Sequence, residues 1–220
     1  MFFREVSWQK NLMLNADVLT FQEFVTHEPL PLSKIQGAVL EFLQGRDDAV
    51  LFGAQAVNAY VSEPRMTQDV DILSTRAREL AEELREHLSE TFHIAVRVRE
   101  IGEGKGFRVY QTRKEGNRHL VDLRAVGELP SAEIIENLMV LSPTELIVSK
   151  VISYHSRRGK PKSGTDWRDI AVLLLRFPNL KEKTYQVLKS QNVDRGVLES
   201  WLEISRQEFQ SEDNDEDLIF

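Results

Sequence analysis

The chain has 220 residues, of which 41% are hydrophobic and 29% are charged, as in a folded protein with a sizeable core. It contains no cysteine, which excludes disulfides, thiol catalysis and cysteine-bound zinc or iron–sulfur clusters. The net charge of −7 excludes a bulk attraction to nucleic acid. Because the first residues, MFFREVSWQK, do not resemble a signal peptide and no apolar run is long enough for a membrane span, we expect a cytoplasmic protein.

The first part of the chain predicts alternating helices and strands. After poorly patterned residues 1–30, a helix is expected over KIQGAVLEFLQG. The buried strand AVLFG then leads directly into a helix, AQAVNAYVSE, which Pro64 ends. DVDILS is the next strand, and TRARELAEELREHLSETF is an amphipathic helix because Leu80, Leu84 and Leu88 recur at one-turn intervals.

Three short strands follow, HIAVRVRE, FRVYQT and HLVDLRAV, and the tight turns GEGKG and KEGNR join them into an antiparallel meander. GEGKG lacks the spacing of a phosphate-binding loop, so we interpret it as a hairpin turn. Strict alternation along the last strand places His119 and Asp122 on opposite faces of the sheet.

After Pro130 the pattern predicts only helices, SAEIIENL, SPTELIVSKVISYHSRR and TDWRDIAVLLLRF among them, before an acidic tail. The expected fold class is α/β (α+β), a mixed sheet with an antiparallel meander and a C-terminal helical bundle. We divide the chain into an N-terminal extension with a lead-in helix, a sheet domain, a helical region and the tail, over residues 1–47, 48–128, 129–210 and 211–220.

Two acids in an apolar run are the first candidates for a functional site. Asp69 and Asp71 share one face of a strand, where they lie roughly 6–7 Å apart and repel each other. A nearby cation would offset this repulsion. Together with Asp122 on another strand, they could converge on Mg²⁺ or Mn²⁺, which prefer carboxylate and phosphate oxygens. The five histidines show no metal-ligand spacing.

The start of the helix after AVLFG is suited to a phosphate. Gly53, Ala54 and Gln55 begin this helix directly after the buried strand. Small residues at a helix N-terminus let backbone N–H groups approach an anion. Gly53 is equally compatible with a purely structural role at the tight end of a strand.

Each candidate acid has a structural alternative. The acid pair of DVDILS is alternatively a strand-end pair that is bound to Arg65 or Arg76. Asp122 is alternatively a solvated acid of an edge strand, paired with Arg124 on the same face.

The basic and acidic residues of the C-terminal half are also open to two interpretations. Lys150 is alternatively an exposed residue on an amphipathic helix, and Asp166 and Asp169 are alternatively helix N-terminal acids stabilised by the helix dipole. SRRGKPKSG is a solvated loop or, with the arginines and lysines of the meander, a basic rim that holds triphosphate or RNA.

The stretch LFGAQAVNAYVSEPRMTQDVDIL resembles the signature of the polymerase-β-like nucleotidyltransferase superfamily. Its Arg65-x-Thr67-x-Asp69-h-Asp71 form is similar to the AbiEii/AbiGii toxin-type branch. Ala54 departs from the pattern, which has Gly or Ser there. The helical segment TELIVSKVISYHSRRGKPKSGTDWRDIAVLL resembles the same branch at Lys150, Arg157, Arg158, Asp166 and Asp169.

The resemblance implies transfer of a nucleoside monophosphate from a nucleoside triphosphate to an acceptor hydroxyl, with tRNA or a protein favoured as acceptor, and Mg²⁺ or Mn²⁺ as cofactor. It also implies a toxin with an antitoxin partner. The implied metal ligands are Asp69, Asp71 and Asp122, which are catalytic together with Lys150. The implied nucleotide-binding residues are Gly53, Ala54, Gln55, Arg65, Thr67, Lys150 and Asp169. The alternative is a degenerate, non-catalytic nucleotide-binding or protein-interaction module with the same fold.

Overall fold

The computed structural model describes residues 30–62, 64–114 and 116–210. Most of the predicted N-terminal extension and all of the acidic tail lie outside the described residues. The remainder forms a seven-stranded mixed sheet, flanked by helices and followed by a group of C-terminal helices. The predicted fold class is therefore confirmed.

Seven strands and seven α-helices make up the described chain, together with a 3₁₀ turn at Pro178–Leu180. The strands are β1 (Ala49–Phe52), β2 (Val70–Ser74), β3 (Val96–Ile101), β4 (Gly106–Gln111), β5 (Arg118–Ala125), β6 (Ala132–Ile135) and β7 (Leu138–Leu141). The helices are α1 (Leu32–Leu43), α2 (Gly53–Asn58), α3 (Ala77–Phe92), α4 (Pro143–Ser156), α5 (Lys162–Arg176), α6 (Lys181–Ser190) and α7 (Arg195–Ser205).

The strands lie in the order β3-β4-β5-β2-β1-β7-β6. The pairs β2–β5 and β1–β7 are parallel, and the other four pairs are antiparallel. The predicted meander is β3–β4–β5, joined to the first strands through β2. Because β5 lies between β4 and β2, it is an interior strand, and the edge-strand alternative for Asp122 is wrong.

The core lies between the sheet and its helices. Helix α3 packs against the meander through Leu80, Leu84 and Leu88, which are fully buried as the one-turn spacing predicts. Helix α1 packs beside α3, whereas α2 contacts β1, β2 and the C-terminal helices α4 and α5. The short helix α2 therefore lies at the junction where the sheet meets the helical region.

The prediction of a helix over SAEIIENL is wrong. This segment forms an antiparallel hairpin of β6 and β7, in which Ile135 pairs with Leu138 across a two-residue loop. Both loop residues, Glu136 and Asn137, have positive φ, as the tightest hairpin turns require. The apolar spacing of this short segment suits either structure, and Glu-Asn is not one of the usual turn pairs, so the sequence pattern did not reveal the turn.

A bulge in β5 overturns the strict alternation expected there. Val109 of β4 pairs with Val121, but the next residue, Tyr110, pairs with His119. Leu120 is thus the extra residue of a β-bulge. The residues that precede it in β5 have their side chains on the face opposite to the one that strict alternation gives. His119 therefore lies on the same face as Asp122, not on the opposite face as alternation predicted.

Among the described residues, no helix is both long and apolar enough to cross a membrane.

Candidate active site

The strand–turn–helix connection at Gly53 is shaped around a carboxylate. Gly53 has a φ of +72°, a conformation that L side chains rarely adopt. A Cβ atom at this position would overlap the carboxylate of Asp71, which lies on the neighbouring strand and pairs with Phe52. Glycine is therefore required both by the backbone angle and by the close approach of Asp71.

The three predicted sheet acids lie together on the wall of one pocket. Asp71 and Asp122 are direct neighbours in the parallel pair β2–β5, and Asp69 immediately precedes β2. All three line a pocket of about 730 Å³. The opposite wall carries cationic residues of the helical region, namely Lys150, Arg157 and Lys162, and Arg65 and Arg124 also line the pocket.

Asp71 is the most exceptional of these acids. Its side chain makes no hydrogen bond or close ion pair with any described residue. Burial and the neighbouring charge of Asp69 raise its pKa from 3.8 to about 6, against a weaker attraction from Arg124 and Lys150. The predicted alternatives for the acid pair are wrong as well, since Arg65 binds Asp169, and Arg76 binds Asp48 and Glu83. A half-buried side-chain carboxylate without a direct partner is suited to bind a cation.

His119 is a member of this cluster that the sequence analysis missed. Its Nδ1 lies 3.2 Å from Asp69 Oδ2, and its Nε2 lies 3.0 Å from Asp122 Oδ1. These two contacts outweigh burial and raise the His119 pKa to about 9, so the ring carries a positive charge at neutral pH. Only the bulge in β5 brings it here, and no residue spacing in the sequence indicates that bulge.

Asp122 is held by cations on two sides. The Arg108 guanidinium donates to both carboxylate oxygens, with Nε 2.9 Å from Oδ1 and Nη2 3.3 Å from Oδ2. Burial raises the pKa of Asp122, but His119 and Arg108 together lower it to about 2. The predicted pairing with Arg124 is not observed; that guanidinium lies 4.7 Å from the centre of the Phe52 ring.

The pocket wall formed by the helical region, the helical wall, contains a second cluster of charged residues. In this cluster the carboxylates are paired with cationic side chains. The Asp169 carboxylate is completely buried and accepts from Arg65 Nε at 2.8 Å and Nη2 at 2.9 Å, and it lies 2.6 Å from Lys150 Nζ. Asp166 accepts from Arg157 at 2.8 Å. Lys150 is only 7% exposed, so the surface-lysine alternative is wrong. Buried ion pairs, not the helix dipole, account for the two aspartates.

The other predicted site residues lie in different places. Thr67 lines the pocket and donates from its hydroxyl to the backbone oxygen of Asp69 at 2.8 Å, and Ala54 also lines the pocket. Gln55 is buried and is not among the lining residues, and its Nε2 has no hydrogen-bond partner among the described residues. Arg158 forms an exposed ion pair with Glu203 outside the site.

The donor set fits a hard divalent cation. Oxygen atoms of Asp69 and Asp122 lie within 4.8 Å of each other, and Asp71 is beside them. The charged His119 ring contacts both Asp69 and Asp122 and therefore positions these carboxylates without itself offering a lone pair to a metal. Carboxylate oxygens are the ligands that Mg²⁺ and Mn²⁺ prefer. The arrangement can therefore hold a cation between the sheet acids and a phosphate chain that is bound by the opposite wall.

Residues 38–218 match the family model described as "Nucleotidyl transferase AbiEii toxin, Type IV TA system". Because the match spans most of the chain, the protein belongs to the AbiEii nucleotidyl transferase toxin family. The predicted recognition and enzyme class, nucleotidyltransferase, are thereby confirmed. None of the curated proteins matches the chain.

Several solved structures are similar to this chain at low sequence identity. The Megavirus polyadenylate synthase superposes with a TM-score of 0.58 at 11% identity, over 71% of this chain and 34% of that chain. This protein thus spans about a third of the viral enzyme. JHP933 from Helicobacter pylori has a TM-score of 0.49 at 15% identity, over 86% and 90% of the two chains. ANT(2")-Ia, solved with adenylyl-2"-tobramycin, has a TM-score of 0.49 at 16% identity, over 79% and 100%.

Proposed function

We propose that the protein transfers a nucleoside monophosphate from a nucleoside triphosphate to an acceptor hydroxyl, with Mg²⁺ or Mn²⁺ as cofactor. The observation that carries the proposal is the unpartnered carboxylate of Asp71, packed against Gly53 and directly beside Asp122. A carboxylate on a pocket wall whose pKa is raised by burial and by a neighbouring like charge is typical of a functional site. Asp69, Asp71 and Asp122 would hold the cation, which would polarise the reacting phosphate.

The reaction is an exchange of two phosphorus–oxygen bonds. The acceptor oxygen attacks the α-phosphorus, the bond from that phosphorus to the bridging oxygen breaks, and pyrophosphate leaves. The acceptor hydroxyl loses its proton in the same step, and the proton passes by way of the Asp122 carboxylate to solvent water. Asp122, ionised at neutral pH because of its low pKa, accepts the hydrogen bond of that hydroxyl and orients it.

The helical wall would bind the triphosphate. Lys150 and Arg157 both line the pocket, and each is positioned by a buried aspartate, Asp169 for the lysine and Asp166 for the arginine. A cation that a neighbouring carboxylate orients needs little reorganisation when the phosphates arrive. Arg65 and Thr67 brace the loop that leads into Asp69, and Gly53 and Ala54 face the phosphates from the start of α2.

Membership of a type IV toxin family supports a biological role and partners. We expect the chain to be the toxin of a toxin–antitoxin pair, with an antitoxin protein that counteracts it and with tRNA or a protein as the favoured acceptor.

The test combines ligand binding with label transfer. Wild-type protein should be stabilised by a triphosphate only when Mg²⁺ or Mn²⁺ is present, and should then transfer α-labelled nucleotide to total RNA, protein or a small molecule. The double variant Asp69→Asn with Asp71→Asn should lose Mn²⁺ binding in calorimetry. The matched control is Asp47→Asn with Glu128→Gln, which alters exposed acids outside the site. Unchanged Mn²⁺ affinity in the double Asn variant would refute the metal assignment.

A non-catalytic module with the same fold is the second candidate. Two observations favour it. Ala54 stands where the nucleotidyltransferase signature has Gly or Ser, and the carboxylate of Asp122 is already bound by Arg108 and His119. This candidate predicts metal-dependent triphosphate binding without labelling of any acceptor class. This candidate would be excluded if the wild type labels any acceptor and the double variant Asp69→Asn with Asp71→Asn does not.

A further inference from the structure

The carboxylate of Asp122 differs from the other two sheet acids, because both of its oxygens are already bound. The side chain of Asp71 has no hydrogen bond or close ion pair with any described residue, and Asp69 contacts the His119 ring. At Asp122, by contrast, Arg108 donates from Nε to Oδ1 at 2.9 Å and from Nη2 to Oδ2 at 3.3 Å. Asp122 is therefore the acid at which a cation has to compete with a side chain of the protein.

The position of Arg108 suits a counter-ion better than a triphosphate ligand. Arg108 of β4 pairs directly with Asp122 of β5, and directly paired residues project from the same face of a sheet. Asp122 lines the pocket, but Arg108 is not among the lining residues, whereas Lys150 and Arg157 line the pocket from the helical wall. Arg108 thus reaches Asp122 from the meander side, away from the place proposed for the phosphates.

Several features of the Arg108–Asp122 pair make it easy to separate. The Arg108 side chain is 45% exposed, and water screens an ion pair that is open to solvent. Arg99 of β3 lies directly opposite Arg108, and like charges in a cross-strand pair repel each other. Among the described residues, the side-chain hydrogen bonds of Arg108 go to Asp122 alone. An Arg108 side chain that is released from Asp122 can therefore move into solvent without leaving another partner behind.

We propose that Arg108 is a built-in counter-ion of Asp122 that gives way when a divalent cation binds, and that it thereby sets the metal affinity of the site. This proposal rests on the proposed function, because it takes the sheet acids as the cation ligands. While Asp122 is paired with Arg108, it is not competent to bind a cation, and the apparent affinity falls by the fraction of molecules in the paired state. Asp71 has no such competitor.

The two cations at Asp122 have different parts in this exchange. The His119 ring contacts Oδ1 alone, at 3.0 Å from Nε2, whereas the Arg108 guanidinium covers both oxygens. Departure of Arg108 therefore frees Oδ2 while His119 still holds the carboxylate in place. Before a cation binds, Arg108 offsets the mutual repulsion of acids that lie side by side on β2 and β5.

The experiment measures Mn²⁺ affinity by calorimetry, with full-length protein and without triphosphate. The test variant is Arg108→Gln, which removes the positive charge, and Arg108→Lys keeps the charge but cannot cover both carboxylate oxygens. The matched control is Arg99→Gln. It removes the same charge from the residue directly opposite Arg108, two strands or about 10 Å from β5, where the pairing partner is not an acid.

Arg108→Gln should bind Mn²⁺ about fivefold to tenfold more tightly than wild type, and Arg108→Lys should lie between the two. Arg99→Gln should stay within about twofold of wild type, because salt screens an exposed charge at that distance. In a background of Asp122→Asn, Arg108→Gln should no longer change the Mn²⁺ affinity, since no carboxylate is left to compete for. The melting temperature of Arg108→Gln without metal should stay close to that of wild type, because the variant loses a like-charge pair together with an ion pair.

The direction of the change in affinity decides the outcome. Mn²⁺ affinity of Arg108→Gln that equals or falls below that of a wild type that binds Mn²⁺ would overturn this proposal alone, and a fall would show that Arg108 orients Asp122 for the cation. Equal gains in Arg108→Gln and Arg99→Gln would overturn it too, because they would reflect the general field of the meander. If neither wild type nor any variant binds Mn²⁺, the metal assignment of the proposed function fails as well.

Discussion

Two groups of aspartates lie at the pocket, one within and behind its helical wall and one on its sheet wall, and their surroundings differ. On the helical side, Asp169 is fully buried and bound by Arg65 and Lys150, so its charge is compensated on every side. On the sheet side, Asp71 is half-buried, and its carboxylate has no hydrogen bond or close ion pair with any described residue. Burial of a paired charge is consistent with a structural role, whereas burial of an unpaired charge needs a ligand to explain it. The same residue type thus serves as scaffold on one wall and as candidate ligand on the other.

The largest effect expected from this contrast is on stability. Asp169→Ala leaves the buried Lys150 and the half-buried Arg65 without their shared partner and should lower the free energy of unfolding by about 3–5 kcal/mol. Urea denaturation measures the change. Glu199→Ala, which removes an exposed i,i+4 partner of Arg195, is the control and should unfold like wild type. Equal midpoints for the two variants would show that the helical cluster is not structural.

On the sheet side the expected loss is in turnover. Asp122→Asn keeps the shape of the side chain but removes the charge that would bind the cation and orient the acceptor hydroxyl. Transfer of labelled nucleotide should fall by about a hundredfold or more, while metal-dependent triphosphate binding is largely retained. Single-turnover labelling measures the rate, with Glu128→Gln as the control. Normal transfer by Asp122→Asn would place the third carboxylate elsewhere.

A smaller effect, opposite in sign to that of Asp169→Ala, is expected at Asp71. Its pKa is raised in the folded protein, so the folded state favours the protonated form, and ionisation lowers stability as pH rises from about 4 to 6. Asp71→Asn removes this cost and should raise the free energy of unfolding by up to about 2 kcal/mol above pH 6. Urea denaturation without metal at pH 4 and pH 7 checks the sign. A variant less stable than wild type at pH 7 would mean that Asp71 has a structural partner.

The smallest effect is the loss of stability caused by placing a side chain at Gly53, close to Asp71. Gly53→Ala and Gly159→Ala both introduce a side chain at positive φ, +72° and +78°. Only the first Cβ meets another residue, since nothing lies within 4 Å of a Cβ at Gly159. Gly53→Ala should therefore be less stable than Gly159→Ala by about 1–2 kcal/mol in thermal denaturation. Equal melting temperatures would show that Asp71 can move away without cost.

Periodic and local patterns were sufficient to predict most of the fold. The one-turn spacing of Leu80, Leu84 and Leu88 identified α3, and alternation with glycine-rich turns identified the meander. The β6–β7 hairpin escaped prediction because Glu136 and Asn137 take positive φ without a glycine to indicate it. Short segments with few apolar residues carry too little periodicity to distinguish a helix from a hairpin.

The sequence by itself determined the sheet acids and the glycine turn, because a D-h-D pair two residues apart must share a face and a strand that ends in Gly53 can turn sharply into a helix. Only the tertiary structure decided which charges are compensated. The bulge at Leu120 brings His119 to the acids, and Lys150 is buried because Asp169 meets it from another helix. These contacts join residues far apart in the chain, and their existence depends on how strands and helices pack, which no local spacing encodes.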